Sequence, residues 1–558
     1  CVNAANKTIP SLLADDIKRP AVAFCLAWLQ VAGGNSVLPP WVRYRFPEIP
    51  AIIKSLRETP CGDDDCDFCV QNHDPERQLA KLFGYPSFRD TPQTEAGESL
   101  QRAIVLGCMG DHPTMGILPT GGGKSLCYQL PALVRYWRRG TLTVVISPLQ
   151  ALMKDQVDNL IKKTGTLFAE SVSGLQTLPE RGEVFERIRL GDTAILYISP
   201  EQLRSVGVRN VLKQREIGSW VFDEAHCLSK WGHDFRPDYL YAARFIREFA
   251  KEQSQPVPPV GCFTATAKKS VIDEIEAHFR EELGQDLQLY EGGVERQNLS
   301  FEVVPLSKAE KLQRTHEVIQ EHLDTSDDPG GIIVYAATRK DTEETRDFLF
   351  HQGLVAEAFH AGIEPNDKRD IIEAFIEGQV PIICATNAFG MGIDKENIRL
   401  VIHYNIPGSL ENYIQEAGRA GRDLKPARCV LLYDEEDAKL QFSMGSLSEV
   451  RRKEIARTLR ALRRKKRNEA GEIVVTTDEL IRDEDWDDLK ELKPEFRDTK
   501  IRASIAWLER AGFLHRNENL TEAFQGKPLV DSLEAATAIM DRLNITPRTR
   551  DLWLGILQ

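Results

Sequence analysis

The sequence predicts an α/β protein with two tandem parallel-sheet domains, an accessory module in front, and a helical, winged-helix-like region behind. Three observations carry this. Short apolar runs alternate with helical segments over residues 95–285 and again over 295–435, the rhythm of parallel strands joined by crossover helices. Residues 1–80 lack that rhythm, and beyond 435 the chain turns helical and highly charged. At 558 residues there is material for several cores, roughly three to five domains on the usual size scale.

The composition, 42% hydrophobic and 28% charged, is that of a soluble globular protein. No apolar run is long enough to span a bilayer and no secretory signal precedes the first domain, so no membrane partner is expected. The eleven cysteines are scattered apart from one cluster, which argues for a reducing cytoplasm rather than a disulfide framework. A net charge of −13 works against a nucleic-acid partner, although a groove can be basic on an acidic protein. The chain opens at Cys1 without methionine and stops in an apparent helix, Thr549 to Gln558, as a segment of something longer would.

The accessory module, 1–83, contains Trp28, Trp41, a Pro-rich stretch and the cysteine cluster Cys61-x4-Cys66-x2-Cys69. A pair of thiols two residues apart suits tetrahedral zinc. His73 is the expected fourth ligand, with Cys25 as an alternative and an iron–sulfur cluster as a lesser one. The competing reading is three unrelated thiols in an acidic loop.

The first sheet domain, 84–290, has its strands at 142–147, 194–199 and 219–222, with a polar, Pro-containing loop at 251–259. Its most informative segment is Leu118-Pro119-Thr120-Gly121-Gly122-Gly123-Lys124-Ser125. A glycine-rich turn ending in Lys-Ser lets backbone N–H groups close on a phosphate chain, with Lys124 on the β/γ-phosphates and Ser125 on Mg²⁺. The strict form of this loop has Gly where Leu118 stands, so by itself it could be an ordinary turn. About a hundred residues on, the buried run Ser219-Trp220-Val221-Phe222 ends in Asp223-Glu224. Ligands sit beyond the carboxyl ends of parallel strands. One acid there to hold Mg²⁺ and one to orient or deprotonate water is what phosphoanhydride hydrolysis needs.

The second sheet domain, 291–437, has strands at 331–335, 381–385 and 400–404. Two such units in tandem suggest a nucleotide held between two sheets. Residues 438–475 form a basic helical linker with Arg451-Arg452-Lys453, Arg457, Arg460 and Arg463-Arg464-Lys465-Lys466-Arg467. This patch, Arg463 and Lys465 included, reads either as phosphate contacts to duplex DNA or as a solvated helix face. In 476–535 a helix, Thr499 to Ala511, precedes Gly512-Phe513-Leu514-His515 and a short polar hairpin. That order suits a winged helix or a generic helical subdomain. Residues 536–558 begin a further helical segment.

Over residues 84–435 the chain resembles the RecQ-type DNA helicases of superfamily 2, whose motifs recur in order. Gly84-Tyr85-Pro86-Ser87-Phe88-Arg89 is similar to the adenine-recognition motif, whose glutamine is either Gln93 or Gln101. Ser147-Pro148-Leu149 through Met153-Lys154-Asp155-Gln156 resembles a motif that touches the DNA backbone. Asp223-Glu224-Ala225-His226-Cys227 runs into Leu228-Ser229-Lys230-Trp231-Gly232-His233-Asp234-Phe235-Arg236-Pro237-Asp238-Tyr239, similar to the aromatic-rich loop of that family. Thr264-Ala265-Thr266, His360-Ala361-Gly362, Ala385-Thr386 and Phe389-Gly390-Met391-Gly392-Ile393-Asp394 come next. The series closes with Gln415-Glu416-Ala417-Gly418-Arg419-Ala420-Gly421-Arg422-Asp423.

The resemblance implies two RecA-like domains and an ATP-dependent helicase or translocase moving 3′ to 5′ on single-stranded DNA. It implies Lys124, Asp223, Glu224, Arg419 and Arg422 as catalytic. Tyr85, Arg89, Gln93 or Gln101, Thr120, Gly121, Gly122, Gly123, Ser125, Gly392, Asp394 and Gln415 would bind ATP and its Mg²⁺. DNA would meet Ser147, Pro148, Lys154, Gln156, Trp231, His233, Phe235, Arg236, His360 and Thr386. Aromatic faces in that loop would stack on unpaired bases at about 1–3 kcal/mol each.

Two departures mark a divergent branch. Gln202 in Ser199-Pro200-Glu201-Gln202 stands where the family usually has Arg, and no cysteine follows Cys429, although the family commonly carries its zinc cluster there. Some such branches, among them the DpdF-type helicases of deazapurine DNA-modification clusters, serve DNA modification or antiviral defence. Work in DNA repair, modification or phage defence is therefore expected, on single-stranded and junction or duplex DNA, with partner proteins of a multi-gene system. Two other readings stay open: an RNA-dependent ATPase, and an ATP-gated clamp that loads partners on DNA without unwinding it.

Overall fold

The computed structural model describes residues 19–31, 37–57, 60–63, 65–119, 121–148, 150–173, 176–229, 236–265, 268–292, 296, 298–389, 395–448, 450–469, 471–483, 494–516, 537 and 540. Residues 1–517 form one compact unit, which holds both sheets. Residues 518–558 form another, in which only Thr537 and Met540 are described.

The N-terminal module is helical: α1 (Arg19–Val31), α2 (Pro40–Arg45), α3 (Glu48–Arg57), α4 (Asp67–His73) and α5 (Pro75–Phe83). Ala21, Val22 and Cys25 of α1 pack on Val42, Ile49, Ile52 and Ile53. The Asp74 side chain caps α5 by accepting from the Arg77 N–H, and Pro75 occupies the first turn, where its missing N–H costs nothing. Arg43, 2% exposed, fastens the module to the next domain by donating to the carbonyls of Arg215 (2.8 Å) and Lys213 (3.0 Å).

Lobe 1 runs α6 (Leu100–Met109), β1 (Thr114–Ile117), α7 (Lys124–Arg139), β2 (Leu142–Ile146), α8 (Gln150–Thr164), β3 (Ala169–Val172), α9 (Leu178–Leu190), β4 (Ile195–Ile198), α10 (Val206–Lys213), β5 (Ile217–Asp223), α11 (Pro237–Glu252), β6 (Val260–Thr264), α12 (Lys269–Leu283) and β7 (Gln288–Glu291). Its seven strands are parallel in the order β3-β4-β2-β5-β6-β1-β7. Alternation sorts the side chains. In β5, Trp220 and Phe222 enter the core on one face with Met115, Val144 and Phe279. Val221 enters the core on the other face with Tyr136, Val145, Tyr197 and Phe263.

Lobe 2 runs β8 (Leu299–Pro305), α13 (Lys311–Thr325), β9 (Gly331–Tyr335), α14 (Arg339–His351), β10 (Ala356–Phe359), α15 (Pro365–Glu377), β11 (Ile382–Ala385), β12 (Ile398–His403), α16 (Leu410–Ala417) and β13 (Ala427–Tyr433). Its six strands are also parallel, in the order β10-β11-β9-β12-β13-β8. Ile332, Val334, Leu400 and Ile402 face one core and Ile333, Tyr335 and Val401 the other.

The chain continues in α17 (Glu435–Ser448), α18 (Arg452–Arg464), α19 (Thr477–Asp483) and α20 (Pro494–Arg510). Ala461, Leu480 and Ile501 make a small core among the last three. Helix α20 begins five residues before the expected Thr499, and the expected polar hairpin after residue 516 lies outside the described residues. No described helix is long and apolar enough to cross a membrane.

Candidate active site between the two lobes

The loop that leaves β1 turns into α7, and the acids leave β5 two strands away, so both arise at the carboxyl edge of one sheet. Leu118 is fully buried in the core and donates its N–H to the Thr264 carbonyl (3.1 Å), so an apolar residue at that position anchors the loop. Gly121 (φ 80°) and Gly123 (φ 79°) supply the left-handed turns the loop needs. A Cβ on Gly123 would lie 2.2 Å from Gln101 Nε2. Ser125 follows Lys124 in the first turn of α7, and both line the cleft.

Gln101 is the glutamine the fold brings to the phosphate loop. Its amide donates to the Gly123 carbonyl (3.2 Å) and its oxygen accepts from the Arg89 N–H (3.2 Å), while the Arg89 guanidinium reaches the Gly121 carbonyl. Gln93 lies instead in an isolated antiparallel bridge with Ser99. The extra residues between Arg89 and Gln101 fold back on themselves, closed by Thr94 N–H to the Glu98 carbonyl (2.8 Å). Tyr85 stacks on Phe83 with centroids 6.3 Å apart and lines the cleft.

Lys124 sits between the acids, 3.2 Å from Asp223 Oδ1 and 2.6 Å from Glu224 Oε1. Burial opposes its charge, but the two carboxylates hold its pKa above the ordinary lysine value. Burial pushes the Asp223 carboxyl up, with the Lys124 ammonium opposing. Glu224 adopts φ 49°, rare for a residue with a side chain, at the turn where the strand ends. His226 Nδ1 lies 2.9 Å from Thr264 Oγ1 and 3.4 Å from Glu224 Oε2, which ties the end of β6 to the acids.

Lobe 2 completes the cleft. Arg419, Arg422 and Gln415 line the same cavity, about 950 Å³, as Gly121, Lys124 and Glu224. The Arg422 stem runs against the phosphate loop, 3.4 Å from where a Gly121 Cβ would stand. Three unforeseen residues build this side. Arg296 donates to the carbonyls of Gly418 (3.3 Å), Ala420 (2.9 Å) and Gly421 (2.6 Å), fixing the turn that carries both arginines. Glu416 binds the buried His403 (3.0 Å) just before that turn. The Gly-Arg pairs of the closing motif point to the arginines, but nothing in the sequence links Arg296 to a turn more than 120 residues away.

The residues expected on DNA are spread more widely. Ser147 is buried with its N–H on the Ile198 carbonyl, and the Pro148 carbonyl accepts from Arg236 Nη1 (2.5 Å). Lys154 is exposed, whereas Gln156 turns into the cleft and accepts from Gln129 Nε2 (3.1 Å). Two residues apart on a helix, the pair points to different sides, Gln156 to the cleft and Lys154 to solvent. His360 holds Glu343 (3.0 Å) and the Gly362 N–H (3.2 Å), and the Thr386 N–H meets the Phe359 carbonyl. Arg463 is exposed on α18, with Lys465 at its C-terminal cap. Thr120, Trp231, His233, Phe235, Gly392 and Asp394 lie outside the described residues.

The cysteine cluster forms as a trio. The sulfurs of Cys61, Cys66 and Cys69 lie within 4.8 Å of one another, with Cys61 and Cys69 3.4 Å apart. Among the described residues His73 does not join them. It shares a helix face with Cys69, but its ring packs edge-on to Phe68, and burial together with the nearby Arg138 charge lowers its pKa to about 4. Cys25 is excluded too, buried in the α1–α3 core with its thiol towards the Ile49 carbonyl. Three converging thiols suit a thiophilic cation such as zinc.

A phosphate-loop lobe with adjacent acids, faced by a second parallel-sheet lobe bearing paired arginines, defines a two-lobed helicase core. Known proteins agree. Residues 98–275 match the DEAD/DEAH box helicase family and residues 310–423 the helicase conserved C-terminal domain. The probable ATP-dependent DNA helicase RecS of Bacillus subtilis is 37% identical over 389 residues, 69% of this chain and 72% of that protein. The ATP-dependent DNA helicase RecQ of the same organism is 38% identical over 371 residues, 66% of this chain and 58% of that one. The chain belongs to the RecQ-type helicase family. It spans about half the length, or less, of several curated relatives it matches. Among solved structures, the DUF1998 helicase MrfA bound to DNA shares the fold, with a TM-score of 0.52 at 17% identity over 79% of this chain and 61% of that one.

Proposed function

We propose that the chain is an ATP-dependent DNA helicase or translocase, tracking single-stranded DNA 3′ to 5′. One observation carries the reading: Arg419 and Arg422 of lobe 2 line the same cleft as Lys124 and Glu224 of lobe 1. The cleft is within the size range of small-molecule sites, and its glycine cradle leaves no space for a side chain at Gly123. Gln101, wedged between Arg89 and Gly123, is the adenine-reading glutamine in this scheme.

Bound ATP and Mg²⁺ would supply the scissile phosphoanhydride and neutralise its charge. Lys124 exchanges its carboxylate partners for the β/γ-phosphates, which releases both acids to act. Asp223 would help to hold that metal, and Glu224 positions the attacking water and takes its proton. Arg419 and Arg422 stabilise the charge that develops on the γ-phosphate, an effect of about 10³–10⁵ where such residues have been measured. Each lobe holds only part of this constellation, so hydrolysis requires a closed cleft, and closure moves one lobe along the bound strand. A role in DNA repair, DNA modification or phage defence, alongside partner proteins, is part of this proposal and rests on the sequence's resemblance to divergent RecQ-type branches.

The test compares ATP hydrolysis and strand displacement on single-stranded DNA, duplex, forked DNA and RNA, with Lys124→Ala as control. Stimulation by single-stranded DNA with displacement of a forked duplex is expected. Stronger stimulation by RNA would reassign the substrate, and hydrolysis without displacement would make the chain a clamp.

In the N-terminal module, we infer that Cys61, Cys66 and Cys69 hold a structural zinc, supported by the convergence of their sulfurs. Elemental analysis of the purified chain should find about one zinc per molecule, lost in a Cys61→Ser, Cys69→Ser variant. A metal-free protein of unchanged melting temperature would refute it.

A further inference from the structure

Helix α20 follows lobe 2 in sequence but is bonded to lobe 1. Glu509 accepts from Arg204 Nη2 (3.2 Å) and Arg244 Nη2 (2.6 Å). Arg516, beyond the helix, gives its carbonyl to Arg204 Nη1 (3.0 Å) and its guanidinium to Asp238. Arg204 Nε closes the ring on Asp238 (3.0 Å), and its guanidinium lies 3.6 Å from the centre of the Tyr241 ring. The Arg204 side chain is 2% exposed and that of Glu509 11%. Charges this deep persist only where they are paired and hydrogen-bonded, and loose surface ion pairs are not built this way. The network is a docking joint.

The joint bears on one turn of helix. Asp238 lies in the first turn of α11. Its neighbours face the chemistry. The Tyr239 hydroxyl donates to the Asp223 carbonyl (2.8 Å), the Arg236 N–H to the Cys227 carbonyl (2.8 Å), and Arg236 Nη1 to the Pro148 carbonyl (2.5 Å). A helical turn moves as a unit, because backbone hydrogen bonds fix its residues relative to one another. Whatever holds Asp238 therefore also sets Asp223 and the Ser147–Pro148 segment.

We propose that Glu509 and Arg516 are positioning residues of the triphosphatase centre, acting through Arg204, Arg244 and Asp238 on the first turn of α11. The C-terminal helices thereby control the hydrolytic rate from outside the cleft. The proposal rests on the ATPase reading. It assigns a function to the joint between α20 and lobe 1.

The experiment uses the full 558-residue chain. Steady-state ATP hydrolysis on a saturating single-stranded oligonucleotide is measured for Glu509→Gln, Arg516→Ala and Arg244→Gln. The control, Arg502→Ala, breaks an exposed pair with Asp498 on the same helix. Glu509→Gln should lower kcat roughly tenfold with KM for ATP changed by no more than about twofold, since the phosphate loop is untouched. Arg516→Ala and Arg244→Gln should give smaller drops of the same kind, and carry the test should Glu509→Gln not fold. Combined with Glu509→Gln they should add less than their product, as members of one network do. Arg502→Ala should change neither constant. A helix that only packs would lower the melting temperature and leave kcat alone, and that result overturns the proposal. A wild-type chain that fails to hydrolyse ATP overturns the parent reading and this one with it. A normal wild-type rate with undiminished variants overturns this one alone.

Discussion

Lys124 pairs with both Asp223 and Glu224 in the cleft, so the proposed nucleotide binding would be an exchange of ionic partners as well as the filling of a space. Glu224→Gln keeps the size of the side chain and removes the base. Turnover should fall about 10²–10⁴-fold, the usual contribution of such a group, while a non-hydrolysable analogue still binds in calorimetry. Lost binding would mean the residue serves the cradle and not the water. His73 makes a different prediction. Its pKa of about 4 in the fold lies below the ordinary 6.5, because of burial and then Arg138. A group depressed in the folded state contributes stability above its unfolded value and loses it as pH falls through the folded one. Thermal stability should therefore weaken as pH falls from 6.5 to about 4, and His73→Gln should flatten that slope. Equal slopes in the two proteins would assign the acid sensitivity to other groups. The same residue shows where sequence reading stops. Its spacing from Cys69 fits a ligand, but spacing does not say which way a ring turns, and here it turns to Phe68. Gln101 is ambiguous in the sequence for a related reason: only the folded-back insert brings it to Arg89.

At the scale of elements, the strands are the most legible part. Runs such as Gly331-Ile332-Ile333-Val334-Tyr335 are apolar throughout because both faces of a parallel sheet are covered, and the expected bounds of this one match the observed strand. The expected strand at 219–222 begins two residues earlier, at Ile217, and runs one further, to Asp223. The docking of α20 is illegible in the sequence. Glu509 on the helix and Arg516 just beyond it look like any charges of a polar segment, and their partners lie some 265 to 312 positions away. Helix α18 keeps a basic exposed face with Arg452, Arg460 and Arg463, followed by exposed Lys466. If that face meets phosphates, replacing these four by alanine should flatten the salt dependence of duplex binding by about 3.6 log units per log unit, from roughly 0.9 per contact. An unchanged slope would leave α18 a solvated face.

Across the whole molecule, the tandem sheets and the shared cleft follow from the order of motifs, and the N-terminal cysteine trio from its spacing. What the motifs do not reveal is how the parts are fastened. The accessory module hangs on Arg43, the arginine-bearing turn on Arg296, and the last helix on Arg204, each a guanidinium aimed at distant carbonyls or carboxylates. Because the phosphate cradle and its cationic counterpart belong to separate sheets, one ending at Glu291 and the next beginning at Leu299, the proposed chemistry is divisible at that crossing. Two polypeptides divided at that crossing would hydrolyse only on meeting, so their rate at low dose would rise with the product of their concentrations, and a single-chain machine would become a bimolecular one.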